Sequence, residues 1–295
     1  MFAFVLALTS GLAWGTADFV GGLMTRRLAP ATVLVVGQSA GLVFTAGLVV
    51  LLGEPMPEAR YLVYGGLGGL AGAIGLASLY KGLAVGRMSI VAPTAALSGA
   101  VPVIAGFLQG DRPEPLQLVG MAVAGAGVLL ATRAPEPVVA TPGGAGPAVG
   151  DPEAALGRGG AAGMGYALVA AVFLGLLVTS LDAAGAGSPY WGTLMVRATS
   201  VPLFAVAWLV RGDRRRPTAA NLWTLVLVGL FDNGANVLFA LAARSGLLSL
   251  VAVLGSLYPV STVLLARFVL GERLVRLQAV GVGAAFAGVA LIAIG

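Results

Sequence analysis

Ten apolar runs, most of them close to twenty residues long, organise this chain and leave it few solvents to fold in. They cover approximately 2–22, 31–52, 61–84, 88–109, 116–131, 161–182, 190–210, 221–242, 247–270 and 277–294. A segment of that length, coiled as an α-helix, spans a hydrocarbon core while satisfying all its backbone hydrogen bonds internally. The joints carry turn or charge signals: Arg26-Arg27, Gly53-Glu54-Pro55, Gly86-Arg87, Gly110-Asp111-Arg112 and Gly271-Glu272-Arg273. Composition agrees, with 58% of residues apolar, 10% charged and a mean hydropathy of +0.97, an excess that one globular core cannot bury. The 45 glycines suit membrane helices that approach closely. The first run starts at Met1 without a basic leader and reads as a retained helix rather than a signal peptide. These features predict an all-α integral membrane protein with ten transmembrane helices.

One joint differs from the rest. Residues 133–160 are rich in Pro, Gly and Ala without periodicity and read as a flexible linker between halves 1–132 and 161–295. The halves resemble each other. Leu116-Gln117-Leu118-Val119-Gly120 aligns with Leu277-Gln278-Ala279-Val280-Gly281, and about nine of sixteen positions match over 116–131 against 277–292, including Ala124/Ala285 and Gly127/Gly288. Gly110-Asp111-Arg112 matches Gly271-Glu272-Arg273, and Ser89-Ile90-Val91-Ala92 matches Ser249-Leu250-Val251-Ala252. Five spans is an odd number, so the second half enters the membrane from the opposite side. The expected fold is therefore two inverted five-helix repeats, a construction that many secondary transporters use for alternating access.

The absence of His and Cys removes imidazole and thiolate metal sites, haem ligation, disulfides and Ser-His or Cys-His nucleophiles. The single lysine, Lys81, follows Tyr80, so no phosphate loop with its Gly-Lys-Ser/Thr ending is present. ATP hydrolysis, a cofactor and nucleic-acid binding are not expected.

Several motifs resemble the drug/metabolite transporter superfamily, in particular its EamA-type ten-helix members. They are Trp14-Gly15-Thr16-Ala17-Asp18-Phe19, the run Gly82-Leu83-Ala84-Val85-Gly86-Arg87-Met88-Ser89-Ile90-Val91-Ala92-Pro93, and Leu257-Tyr258-Pro259 followed by Leu270-Gly271-Glu272-Arg273-Leu274. The resemblance covers nearly the whole chain apart from the linker. It implies a polytopic carrier that moves a small metabolite, often outward, and does not fix one substrate.

A charge near the bilayer centre is costly unless paired or hydrated, so intramembrane ionisable residues are the first candidates for function. Arg197 and Asp232 fall at similar depth near the midplane. As a pair they offer a fork for a carboxylate and a partner for an ammonium group or a proton, or else a structural ion pair. Asp18 and Lys81 end their spans on the same side and form a second candidate pair. Trp14, Tyr80, Phe239 and Tyr258 offer aromatic cavity walls or packing. Asp182, Arg244 and Arg267 lie near span ends, and Pro93, Pro102 and Pro259 interrupt spans four and nine.

Most loop arginines, among them Arg26, Arg27, Arg87, Arg214, Arg215, Arg216 and Arg273, follow odd-numbered spans, against Arg60, Arg112 and Arg244 on the other side. The positive-inside rule then places both termini outside, whereas the family resemblance implies termini inside. The expectation is a multi-pass secondary transporter of the inner or plasma membrane, a monomer or homodimer, moving an amino acid or related compound, with or without protons. The alternatives are a proton-coupled exporter of cationic drugs and a lipid-modifying membrane enzyme.

Overall fold

The computed structural model describes residues 1–25, 27–85, 91, 94–132, 158–211, 217–270 and 275–295. Every regular element among them is helical: α1 (Phe2–Thr25), α2 (Pro30–Leu51), α3 (Ala59–Val85), a 3₁₀ turn (Ala96–Gly99) leading into α4 (Ala100–Gln109), α5 (Pro115–Ala131), α6 (Arg158–Gly185), α7 (Pro189–Arg211), α8 (Ala219–Ser245), α9 (Leu248–Gly255), α10 (Tyr258–Val269) and α11 (Arg276–Ile294). Eight segments are long and apolar enough to cross a membrane, with α9 and α10 counted together, and Ala96–Gln109 and Pro115–Ala131 are shorter apolar helices. Of span four as expected, residues 88–90, 92 and 93 (Pro93 among them) lie outside the described residues. So does the linker, except for 158–160, which open α6.

Helix ends follow local chemistry. Pro30, Pro115 and Pro189 open α2, α5 and α7, where a missing N–H costs nothing and φ is preset. Gly110 ends α4 at φ +103°, a left-handed conformation that a side chain would resist. Gln117 accepts from the backbone N–H of Glu114 at 2.9 Å, and Gln278 accepts from that of Val275 at 3.2 Å. The two glutamines that mark the repeat are thus equivalent caps on α5 and α11.

The packing repeats as well. Matching α1 with α6, α2 with α7, α3 with α8, Ala96–Gln109 with α9–α10, and α5 with α11 turns each major contact into another. The α3–α6 contact corresponds to α1–α8, and α3–α7 to α2–α8, while α5–α11, α2–α7 and α4–α9 are contacts between mates. A Cβ placed on Gly120 would lie 2.8 Å from the Gly288 carbonyl oxygen, and one on Gly127 would lie 2.7 Å from that of Gly281. Backbones therefore touch along this seam, and they run antiparallel, because rising numbers in α5 meet falling numbers in α11. Mates of opposite direction make the repeats inverted. Among the described residues the protein is all-α, and its ten apolar segments, eight of them long enough to span a membrane, form two inverted five-helix repeats of an integral membrane protein.

The core is centred on α9, in which all eight residues are buried. Leu51, Leu108, Val210 and Phe268 project from the outer surface, where the lipid would be. Span nine is broken at Ser256-Leu257, with Pro259 in the first turn of α10.

Candidate functional site

Arg197 projects from α7 between α2 and α8 and is only 4% exposed. Its Nε donates to Asn233 Oδ1 at 2.6 Å, Nη1 donates to Gln38 Oε1, and Nη2 donates to Asp232 Oδ2 at 2.7 Å. Gln38 Nε2 also donates to Asp232 Oδ2 at 3.3 Å, and Asn233 Nδ2 donates to the Gly229 carbonyl at 2.9 Å. The Asn233 amide fills the space where a side chain on Gly41 would stand. Arg197 and Asp232 do form the expected ion pair. Each of its three nitrogens already donates to a protein acceptor, and at 4% exposure the guanidinium faces the protein rather than an open space. A planar guanidinium with fixed donor directions suits this role, orienting Asp232 while matching its charge.

Asp232 is the most exposed member of the network. Its side chain is 26% exposed, and Oδ1 accepts no hydrogen bond among the described residues. One turn further along α8, Asn236 Oδ1 accepts from Trp14 Nε1 at 3.1 Å. Asp18 lies one turn beyond Trp14 on α1, is exposed, and is within electrostatic reach of Asp232. The antiparallel α1 and α8 thus face each other in two rungs, Trp14 with Asn236 and Asp18 with Asp232. Tyr258, at the start of α10, stands edge-on to Trp14 at 6.5 Å between ring centroids. Gly15 allows the Tyr258 carbonyl to approach α1, and its mate Gly175 does the same for Ser98 on α6.

Other expected residues fall elsewhere. Phe239 is fully buried and packs on Trp14 at 5.6 Å, so it backs the indole rather than lining open space. Lys81 is exposed on α3, which packs on α6 and α7, whereas α1 packs chiefly on α8, α9 and α10. The ion pairs among the described residues are Arg60–Glu58 and Arg197–Asp232, so the Asp18–Lys81 pair does not form. The side chain of Tyr80 lies outside the described residues. Asp182 is half-buried and accepts from Gln109 at 3.4 Å, and Arg244 and Arg267 are exposed. The sequence reading did not single out Gln38, Asn233, Asn236 or Ser98.

The polar groups occupy one of two equivalent places. The repeat mates of Trp14, Asp18, Asp232 and Asn236 are Leu174, Val178, Gly72 and Leu76, and Leu174 packs directly against Gly75. One α1–α8 face therefore carries two carboxylates against a single guanidinium, while its α3–α6 counterpart is apolar. The remaining negative charge suits a cation.

Comparison with known proteins follows the same division into halves. No curated protein matches the sequence. A crystal structure described only as that of a protein superposes with a TM-score of 0.77 over 99% of this chain and 97% of its own, at 17% identity, a likeness of fold. The family profile of EamA-like transporters matches residues 1–133 and again residues 161–294. On a match of that extent, falling once on each half of an inverted ten-helix bundle, the chain belongs to the EamA-like transporter family of the drug/metabolite transporter superfamily.

Proposed function

We propose that this multi-pass membrane transporter exports a small metabolite bearing an amino group, an amino acid or a related compound, across the inner or plasma membrane. The halves 1–132 and 161–295, joined by linker 133–160, expose a central site alternately to the two sides. The observation that carries this reading is the division of labour within the Arg197 network. Arg197 is buried and donates from each nitrogen to Gln38, Asn233 or Asp232, while the outer oxygen of Asp232 and the carboxylate of the exposed Asp18 accept no hydrogen bond among the described residues and are open to an ammonium group. Trp14 and Tyr258 add aromatic surface for the carbon skeleton and for a cation–π contact. A proton competes with the ammonium for the same oxygens, which provides a route to proton coupling; a uniport needs no such step.

The same residual charge and aromatic rings suit a bulkier organic cation, which keeps the drug-exporter reading alongside. Transport in reconstituted vesicles tests the proposal. Asp232→Asn is expected to lower transport of amino-bearing substrates at least about tenfold, because a hydrogen bond to a charged group is lost. Full transport in that variant would remove Asp232 from the mechanism.

A further inference from the structure

The indole–amide rung contains an unused donor. Trp14 Nε1 can only donate, so the Asn236 atom facing it must be the oxygen, which leaves Nδ2 as the free end of the amide. Asn236 is 1% exposed, and Nδ2 has no hydrogen-bond partner among the described residues. A buried amide nitrogen without an acceptor carries a desolvation penalty that is relieved only when an acceptor arrives.

Position gives the donor a meaning. Asn236 lies one helical turn, about 5.4 Å, from Asp232 on α8, and the rungs are matched on α1 by Trp14 and Asp18. A molecule held at the Asp18–Asp232 rung has an N–H donor one turn away, buried in this state and reached when the α1–α8 face opens. We infer that Asn236 Nδ2 donates to the carboxylate or carbonyl oxygen of the transported molecule, and so sets the substrate class as an α-amino acid or close analogue rather than a simple amine. An ammonium and a carboxylate on one carbon, each extended by a hydrogen bond of about 2.9 Å, bridge one turn of helix. The inference rests on the reading that Asp18 and Asp232 take the ammonium end. It assigns the carboxylate end to a neutral amide, not to Arg197.

Titration calorimetry on the purified protein separates the possibilities, with phenylalanine and leucine paired against their decarboxylated counterparts phenethylamine and isopentylamine. The wild type is expected to bind each amino acid about tenfold or more tighter than its amine. Asn236→Ala collapses that preference to near unity. Asn236→Asp keeps an acceptor for Trp14 Nε1 but presents oxygen to the substrate, and reverses the preference. Should the alanine variant fail to elute as a monodisperse species, the aspartate variant decides on the same ratio. A wild type without the preference, or Asn236 variants that keep it, would overturn the inference. Asp232→Asn tests the underlying reading separately: undiminished binding of all four compounds defeats the ammonium assignment whatever happens at Asn236.

Discussion

Gln38 and Arg197 occupy the same place in the two repeats, and they are hydrogen-bonded to each other. They stand 159 positions apart, as do Pro30 and Pro189, which open their helices. Repeat mates can touch only near the pseudo-two-fold axis, so the guanidinium marks the centre of the α2–α7 contact, where that axis passes. Asp232 and Asn233, on α8, reach that centre from one side only.

If Arg197 orients Asp232 rather than binding substrate, its loss acts first on stability. Arg197→Leu leaves a partly buried carboxylate uncompensated and is expected to cost about 3–5 kcal/mol, seen as a lower thermal midpoint in detergent. Arg197→Leu combined with Asp232→Leu removes both charges and is expected to recover most of that midpoint, while transport stays absent. A double variant no more stable than the single one would show that the pair is not the origin of the loss.

A single methyl group at Gly41 tests the network from behind. Its Cβ would occupy the position of the Asn233 amide, which holds Arg197 Nε. Gly41→Ala is expected to reduce transport about tenfold or more, since a displacement of about 1 Å in a positioning group is costly. Gly47→Ala, on the same helix with nothing within 4 Å of its Cβ, is the matched control and is expected to transport normally.

The seam between α5 and α11 predicts a pattern of alanine substitutions. Gly120→Ala and Gly288→Ala force a methyl group into facing backbone and are expected to cost about 1–3 kcal/mol each. Gly125→Ala and Gly283→Ala meet open space and should leave the thermal midpoint level or raise it slightly, as replacing glycine within a helix does. Equal effects at all four positions would contradict the close approach.

Asp18 and Lys81 should separate in function as they do in space. Asp18→Asn removes one of two carboxylates beside the site and is expected to weaken amine-bearing substrates about tenfold. Lys81→Gln, exposed on α3 and away from this face, is expected to change transport less than about twofold. A transport assay on both variants gives the comparison directly.

The helices and the repeat were legible in the sequence because both are written in long signals. Apolar runs reveal themselves by length, and Gln117 and Gln278 stand out against an Ala/Gly/Val background because capping needs a side-chain acceptor at that offset. The centre of the site was half legible. Arg197 and Asp232 announced themselves by charge, but Gln38, Asn233 and Asn236 are neutral amides, easily passed over among apolar neighbours. Comparing mates would have exposed Gln38, since it stands at the offset of Arg197 from the opening proline. Placing Asp18 with Lys81 assumed that two span ends on one side of the membrane are neighbours. Depth is encoded in span length, whereas lateral order depends on which small faces fit, and the glycines of α3 fit α6 and α7.

The glycine seam has a mechanical consequence. Backbone against backbone leaves no rotamers to exchange, and a slip of one residue drives Cβ atoms or carbonyls into the opposite strand of the seam. Such a joint behaves as a hinge pin: it can tolerate rotation about the line of contact, but it cannot slide in small steps. The slack needed to change shape has to come from elsewhere. The interrupted helix at Ser256-Leu257, next to Tyr258, is a break in the helical ladder that lies outside the seam.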